Sequence, residues 1–197
     1  GYKQVICTNT PTALKVNVSW QHWYPACSTT PWQIDGVIRT LKDDGFQTEL
    51  MYAAHNRTVV VSARQCEVRN KHLPVVQRHG IANVHLYDDS ERVQYKPHTP
   101  LLVLDKIFPE GIRIPKRLIG SNIIHLPTVN TTVYTTITGA MKNAFGGLLF
   151  EKRHFCHSEI HNTLVDLLEI QQEIHPGIFA VVDGTFAGSG PGPRCMR

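Results

Sequence analysis

Several features that define other protein classes are missing from this sequence. No apolar run approaches the roughly 18 residues that a membrane-spanning helix needs. The basic residues are scattered and form no stripe with aromatic residues between them, the pattern typical of nucleic-acid-binding proteins. The five cysteines are widely spaced and form no C-x-x-C pair, which argues against a disulfide scaffold, a zinc knuckle and an iron–sulfur cluster. We therefore expect no membrane partner, no nucleic-acid partner and no iron–sulfur cluster within this chain.

The composition is that of an ordinary globular protein. Of 197 residues, 42% are hydrophobic and 18% are charged, and the net charge is +4 with histidines neutral. This length suits one domain, so we expect a single α/β domain over residues 1–197. The first residues, Gly1 to Gln4, contain no signal-peptide core. A cytoplasmic location is therefore expected, although an export signal removed upstream of Gly1 would leave no trace in the sequence.

Strand-like and helix-like segments alternate along the chain. Short apolar runs predict strands at residues 5–7, 13–18, 46–53, 84–87, 101–107, 121–126 and 178–182. Helical spacing and helix punctuation predict helices from Pro31 to a stop at Gly45, over 70–78, 115–118 and 158–174, and from Gly139. Residues 88–100 favour a loop or an edge hairpin, and residues 184–197 favour no regular structure.

This alternation predicts an α/β fold with three layers: a mostly parallel, doubly wound, Rossmann-like sheet with helices on both faces. The chain stops just after a strand and a glycine-rich loop. In a doubly wound fold such a loop leads into another helix, so we expect the domain to be incomplete at its C-terminus.

Three loops are expected at the carboxyl ends of strands, where open α/β sheets bind ligands. The first contains Lys15 and Asn17. The second follows Pro127 and leads to Thr138, Gly139, Lys142 and Asn143. These last four place a hydroxyl, a glycine, a lysine and an amide at a helix start, where backbone N–H groups favour an anion. The alternative is a threonine-capped helix with a solvated lysine.

The third loop begins at Asp183 and contains Gly188 and Gly190. An acidic residue at a strand end is a common general base or metal ligand, and the glycines would allow the backbone to approach a ligand closely. The alternative is a flexible turn with a capping aspartate.

His154, Cys156, His157 and His161 form the densest group of metal-ligand residue types, and three of them are histidines. If a helix begins at or before His154, the three stand at i, i+3 and i+7 on one face and could share a metal. The same spacing arises on any histidine-rich, exposed helix start, so both interpretations stay open.

Several blocks together resemble a known family. The run N-I-I-H-L-P from Asn122 and the run T-G-A-M-K-N-A-F-G from Thr138 resemble two blocks of the family called domain of unknown function 362. K-V-N from Lys15, V-D-G ending at Gly184 and G-S-G-P from Gly188 resemble three further blocks in the same order. The likeness covers about Lys15 to Pro193, and it places a family histidine best at His157.

The sequence also departs from the family pattern. N-T-T at Asn130 stands where the family usually has K-T-H, and the cysteine cluster of many relatives is missing. The family usually continues with another strand and helix, which agrees with an incomplete C-terminus. The role of the family is not settled, so the resemblance implies a fold and a site location more than a reaction.

We are left with two hypotheses of different classes. The first is an enzyme or cofactor-handling protein that binds a small phosphorylated or carboxylate ligand, with Asp183, His157 and Lys142 as the catalytic candidates. Lys15, Asn17, Thr138, Gly139, Asn143, Gly188 and Gly190 would bind the ligand, and Asp183, His154, His157 and His161 are the candidates for a divalent metal. The second is a non-catalytic structural or assembly subunit, with a protein partner or a second copy of the chain.

Overall fold

The computed structural model describes residues 1–58, 61–87, 92–149 and 153–192. The strands are β1 (Thr12–Val16), β2 (Met51–His55), β3 (Ala82–His85), β4 (Arg92–Tyr95), β5 (Ile112–Pro115), β6 (Asn122–Leu126), β7 (Thr128–Val129), β8 (Thr131–Thr132), β9 (Thr136–Ile137), β10 (Ile178–Ala180) and β11 (Asp183–Ala187). The helices are α1 (Pro31–Asp43), α2 (Ala63–Arg69), α3 (His72–His79), α4 (Leu104–Ile107), α5 (Gly139–Leu148) and α6 (Ile160–Ile174). Short 3-10 turns lie at Tyr2–Gln4, Thr48–Leu50, Lys116–Leu118 and Phe155–His157.

Five parallel strands form the central sheet, in the order β10-β6-β1-β2-β3. Strand β1 is in the middle, and its Lys15 pairs with Ala54 of β2 on one side and with His125 of β6 on the other. The prediction of a mostly parallel, doubly wound sheet is confirmed. No helix in the described part of the chain is both long and apolar enough to cross a bilayer.

The two faces of the sheet are covered by different helices. Alternate residues of a strand point to opposite faces, and in β1 Leu14 and Val16 belong to one core with Ile34 and Ile38 of α1. Ala13 belongs to the other core, which contains apolar residues of α5 and α6. The three layers are therefore confirmed, and Lys15 is placed on the α5/α6 side by the same alternation.

Helix α1 follows its sequence signals closely. Pro31 occupies the first turn, Ile34, Ile38 and Leu41 are buried, and Gly45 has a φ of +87° just beyond the helix end. Proline suits the first turn because its missing N–H has no intrahelical acceptor there. A glycine tolerates the left-handed conformation that stops the helix.

Two strand predictions are wrong. Residues 5–7 form no strand, because the N–H groups of Val5 and Ile6 both donate to the carbonyl oxygen of Tyr2 and close a turn instead. Residues 101–107 contain the short helix α4. A brief apolar run cannot be assigned to strand or helix by periodicity alone, and here the backbone N–H groups are captured by a distant aspartate.

Other boundaries also differ from the predictions. Helix α2 was not predicted, α6 begins at Ile160 rather than at residue 158, and β2 begins at Met51 after a 3-10 turn. Residues 184–187 belong to β11, which pairs with β7, so the prediction of no regular structure is wrong there. Residues 188–192 form no helix or strand, as predicted, and residues 193–197 lie outside the described part. Residues 92–95 form β4, which pairs antiparallel with β5 (Ile112–Pro115), so its partner lies outside the stretch 88–100 in which a hairpin was one alternative. Residues 88–91 again lie outside the described part.

Asp166 of α6 anchors the segment that was mistaken for a strand. Its carboxylate is buried and accepts hydrogen bonds from the backbone N–H groups of Leu102 (2.8 Å), Val103 (2.9 Å) and Leu104 (2.9 Å). Charged acceptors at a helix start satisfy N–H groups that have no partner within the helix. The side chain therefore fixes α4 against α6.

Replacing Asp166 by alanine is expected to lower the free energy of unfolding by about 3 kcal/mol or more, because three backbone donors would lose a buried, charged acceptor. Urea denaturation measures the change. Asp105→Ala is the matched control: Asp105 is exposed and accepts one bond, from the N–H of Leu101 at 3.2 Å, so its loss should be about 1 kcal/mol or less. Equal losses in the two variants would contradict the anchoring role of Asp166.

Candidate functional site

A cavity of about 470 Å³ opens at the carboxyl ends of β1, β2 and β6. Strand β1 leads into α1 on one face of the sheet, whereas the chain after β6 leads into α5 on the other face. Such a switch between neighbouring strands creates a crevice in which α/β proteins bind ligands. The polar and charged residues that line the cavity are Lys15, Asn17, Ser19, Asn56, Arg57, Thr58, Thr131, Thr132, Thr138, Lys142, Asn143, Arg153, His154 and His157.

A second cavity lies at the opposite edge of the sheet. It measures about 560 Å³ and is lined by residues that precede the strands, among them Pro11, Leu50 and Ser121. It is slightly larger than the first, but we regard the carboxyl-edge cavity as the functional candidate. Unlike the second cavity, it brings together residues from the first two predicted loops.

Lys15 is the most deeply placed cation of the cavity. Only 3% of the residue is exposed, and its Nζ donates a hydrogen bond of 2.6 Å to the carbonyl oxygen of Val16. Burial, together with the nearby charge of Arg153, lowers the pKa of Lys15 to about 7. Desolvation disfavours the charged form of a lysine, and a second cation acts in the same direction.

Amide side chains fix the walls around Lys15. Asn143 of α5 donates a 2.8 Å hydrogen bond to the carbonyl oxygen of Lys15, and Asn56 donates to the carbonyl oxygen of Gly146. Asn17 is held by the loop before α1, because its N–H donates to Oγ1 of Thr29 at 2.8 Å. The first two bonds tie the carboxyl ends of β1 and β2 to α5, and the first of them uses one N–H of the Asn143 amide that we predicted to bind the ligand.

Lys142 and His157 both lie beside the ring of Tyr134 at the cavity wall. Nζ of Lys142 lies 5.5 Å from the ring centroid of Tyr134, and the ring of His157 is 4.3 Å from that of Tyr134 and 5.0 Å from that of Phe145. Burial lowers the pKa of Lys142. Burial and the charge of Lys142 lower the pKa of His157, so this imidazole is neutral at pH 7.

Two arginines complete the cationic lining. Arg153 donates a 3.0 Å hydrogen bond from Nη2 to the carbonyl oxygen of Arg57, and the guanidinium of Arg57 lies 5.0 Å from the ring centroid of Tyr87. Burial, followed by the charge of Arg57, lowers the pKa of Arg153. Among the described residues that line the cavity there are four Lys or Arg residues and no Asp or Glu.

Of the four residues predicted at the helix start, Thr138, Lys142 and Asn143 line this cavity and Gly139 does not. Thr138 lines it, and Gly139 begins α5 with a φ of +56°. The N–H of Thr138 donates to the carbonyl oxygen of Asn130 at 3.0 Å, so the backbone N–H of that residue is already bonded within the protein.

The residues of the third loop are not among the cavity lining. Asp183 accepts hydrogen bonds from Oγ1 of Thr30 (2.5 Å), Nε1 of Trp32 (2.9 Å) and the N–H of Thr185 (2.8 Å). Burial would raise the pKa of Asp183, but these donors outweigh it and lower the pKa. The carboxylate thus connects the start of α1 to β11, and its catalytic role stays a prediction.

Gly188 and Gly190 follow β11 and run beside the chain that leaves β7. The N–H of Gly188 donates to the carbonyl oxygen of Val129 at 2.8 Å, and Gly190 has a φ of +95°. A Cβ on Gly188 would lie 3.2 Å from the backbone nitrogen of Thr131. The close approach that these glycines allow is therefore to another segment of the chain, and ligand binding by them stays a prediction.

The three histidines of the predicted metal group do not share one helix. His154 and His157 belong to the 3-10 turn and its N-terminal flank, with ring centroids 6.0 Å apart, and His161 is exposed on α6 outside the cavity. No group of three or more His, Cys, Asp or Glu side chains in the described ranges is arranged to hold a metal ion. These residues therefore do not fit a metal centre as they are placed, and metal binding stays a prediction.

Sequence reasoning missed the contributions of Asn56, Arg57 and Arg153 to the cavity. Arg153 was visible only as part of a local basic group, and Asn56 and Arg57 follow a strand whose neighbours in the sheet the sequence does not reveal. A buried histidine group was also missed: the ring of His55 lies 6.0 Å from that of His72 and 5.9 Å from that of His85.

Comparison with known proteins gives a family and no named relative. A search of curated proteins and a search of solved structures each found no match. The sequence model of the family described as Domain of unknown function (DUF362) matches residues 12–196, nearly the whole chain. The match agrees with the blocks from Lys15 to Pro193 that suggested the same family. The chain belongs to the DUF362 family.

Proposed function

We propose that the carboxyl-edge cavity binds a small anionic ligand, phosphorylated or carboxylate, and that the protein is an enzyme or cofactor-handling protein acting on it. The observation that carries this proposal is the charge of the lining: beside Lys15 it carries three cations, Arg57, Lys142 and Arg153, and, among the described residues, no carboxylate. Cations held in a crevice attract an anion more strongly than cations in open water, because solvent screens them less. A cavity of about 470 Å³ is within the range of small-molecule sites.

Within this proposal the lining residues have separate roles. Lys142 and Arg153 hold the anionic group, since both are partly buried cations on the cavity wall. Hydroxyls of Thr131, Thr132 and Thr138 are among the neutral donors of the lining. His157 is neutral at pH 7 and is the candidate proton carrier.

Inorganic phosphate at constant ionic strength is expected to raise the melting temperature, because a ligand that binds only the folded state stabilises it by mass action. Calorimetric titration should show Lys142→Gln and Arg153→Gln each weakening phosphate binding by about tenfold or more, the effect of losing roughly 1.4 kcal/mol. Lys106→Gln, on the exposed side of α4, is the matched control. Melting that responds equally to phosphate and to chloride would refute the proposal.

The alternative of a non-catalytic assembly subunit rests on a different surface. Trp23, Trp32 and Phe186 are all exposed, with ring centroids 5.7 Å apart for the two tryptophans and 6.4 Å apart for Trp32 and Phe186. Exposed aromatic clusters are typical of protein interfaces. This surface is compatible with an anion site elsewhere on the molecule, so it does not weaken the first proposal.

A further inference from the structure

The side chain of Lys15 is held in one place at the floor of the cavity. Its Nζ bonds to the carbonyl oxygen of Val16, and its alkyl chain lies against Gly147 of α5. A Cβ at position 147 would be only 3.1 Å from Cε of Lys15, so the glycine makes room for this side chain. A fixed side chain at a switch-point cavity is well placed to meet a ligand in a defined geometry.

The surroundings of Lys15 favour a neutral amine. Arg153 is the charged neighbour that acts on Lys15, while His55 of β2 and His125 of β6 interact electrostatically with it from the two flanking strands. Lys142 and His157 line the same cavity, and none of its described lining residues is a carboxylate. Without a nearby negative charge, a buried ammonium group is destabilised and loses its proton at a lower pH than an exposed lysine does.

Lys142 differs from Lys15 in this respect. Its Nζ lies 5.5 Å from the ring centroid of Tyr134, and the face of an aromatic ring stabilises a cation. Lys142 is also less buried than Lys15. The two lysines are thus suited to different tasks, with Lys142 holding a negative group and Lys15 offering a lone pair.

We infer that Lys15 is a catalytic amine that forms an imine with the carbonyl carbon of an anionic oxo compound, whose acid group is held by Lys142 and Arg153. This inference rests on the proposed anion site and names its ligand class. An uncharged lysine amine in a buried, cation-rich site is a known way to prepare a nucleophile for carbonyl substrates.

The step is balanced without any oxidant or reductant. The Nζ lone pair attacks the carbonyl carbon, the C–N bond forms and the carbonyl π bond breaks. One of the two nitrogen protons passes to the alkoxide oxygen, which gives a carbinolamine with one N–H left. His157, neutral and lining the same cavity, accepts the proton released from nitrogen and returns it to the hydroxyl, which leaves as water when the C=N bond forms. The net change is amine plus carbonyl to imine plus water.

Reductive trapping on the unmodified protein tests this inference. Glyoxylate, a small oxo acid, is added with sodium cyanoborohydride, which reduces an imine by hydride transfer and leaves a carboxymethyl group on the labelled nitrogen. Intact mass and peptide mapping should show Lys15 labelled at pH 7 at least about tenfold faster than exposed lysines, because ordinary lysine amines are almost fully protonated there. The labelling rate should reach half its maximum near pH 7.

Variants separate this inference from the anion site. Lys142→Gln should slow labelling of Lys15 about tenfold or more, and excess inorganic phosphate should slow it in the wild type. Labelling spread over lysines according to their exposure, with Lys15 unlabelled, would overturn the inference. If phosphate still binds in that case, the anion site stands and only the amine role fails. If Lys15 is labelled just as fast by the uncharged glycolaldehyde, the anionic substrate class is wrong.

Discussion

Replacing Lys15 by methionine is expected to stabilise the protein at pH 7 while removing its reactive amine. Methionine keeps an unbranched side chain of similar length beside Gly147 and has no charge to desolvate. Lys15 is almost fully buried, and its pKa of about 7 lies well below the 10.5 of an exposed lysine. Allowing for the lost bond to Val16, we expect the free energy of unfolding to rise by roughly 2–4 kcal/mol at pH 7.

The pH dependence of this gain identifies its cause. Between pH 7 and 10.5 the unfolded chain binds a proton at Lys15 that the folded protein does not, so the wild-type stability rises with pH over this window. The methionine variant lacks that dependence. The difference in free energy of unfolding between the variant and the wild type should therefore shrink by about 3 kcal/mol between pH 7 and 9.5.

Urea denaturation at several pH values measures both quantities. Lys106→Met, at an exposed position of α4, should change stability by less than about 0.5 kcal/mol at any of them. If Lys15→Met destabilises the protein at pH 7, then Lys15 is a compensated cation in the folded state. Its assignment as a neutral amine would then fail together with this prediction.

If Lys15 belongs to a functional site, a substitution that removes its amine is expected to stabilise the protein. Active sites hold groups in environments that oppose stable packing, and removing such a group often stabilises the fold. Lys15 is as buried as the rest of its strand but differs from it in residue type, since Thr12, Ala13, Leu14 and Val16 are small or apolar. An ionisable residue in a buried central strand breaks the rule that such strands are built from apolar residues, and exceptions of this kind are expected at functional sites.

The parts of the fold that the sequence predicts are those specified by neighbouring residues. Helix α1 is an example, because Pro31, the apolar spacing and Gly45 all lie within the helix or next to it. Helix α4 is the opposite case: its N–H groups bind the carboxylate of Asp166, which is 64 residues from Leu102. No local pattern contains that information, so the apolar run at 101–107 was taken for a strand.

The same distinction applies to the site. Lys15, Asn17, Thr138, Lys142 and Asn143 were predicted because strand ends and helix starts are readable in the sequence, and all five line the cavity. Asn56 and Arg57 reach it only because β2 is the neighbour of β1. Asp183 was predicted from its position after a strand, but its bonds to Thr30 and Trp32 direct it towards α1. Which residues reach the cavity therefore depends on the order of the strands and on the hydrogen-bond partners of each side chain, and neither can be predicted from the local sequence.

The protein is also expected to lose stability steeply as the pH falls from 6.5 to about 4, because several histidines are buried in their neutral form. Burial lowers the pKa of His72 and His175 to about 4 and that of His125 to about 3, and the pKa of His55 is also well below 6.5. The unfolded state binds these protons near pH 6.5 and the folded state does not. The contribution of these histidines to stability is therefore complete above pH 6.5 and is lost as the pH falls below it.

The expected loss is large compared with ordinary protein stability. Each such histidine contributes a loss of up to about 2 kcal/mol at pH 5, whereas domains are stable by roughly 5–15 kcal/mol. Acid unfolding should therefore begin above pH 4.5, before carboxylates such as Glu173, with a lowered pKa of about 2, take up protons. Circular dichroism across a pH series, combined with urea denaturation, records the transition.

A single substitution can assign this transition to the buried histidines. His72→Gln keeps a donor for the carbonyl oxygen of Thr29, which His72 Nε2 contacts at 2.6 Å, but cannot titrate. The slope of stability against pH should then fall by about 1.4 kcal/mol per pH unit below pH 6. His161→Gln, at an exposed position of α6, should leave the slope unchanged. A protein equally stable at pH 7 and pH 5, or equal slopes in the two variants, would show that these imidazoles are not held neutral by the fold.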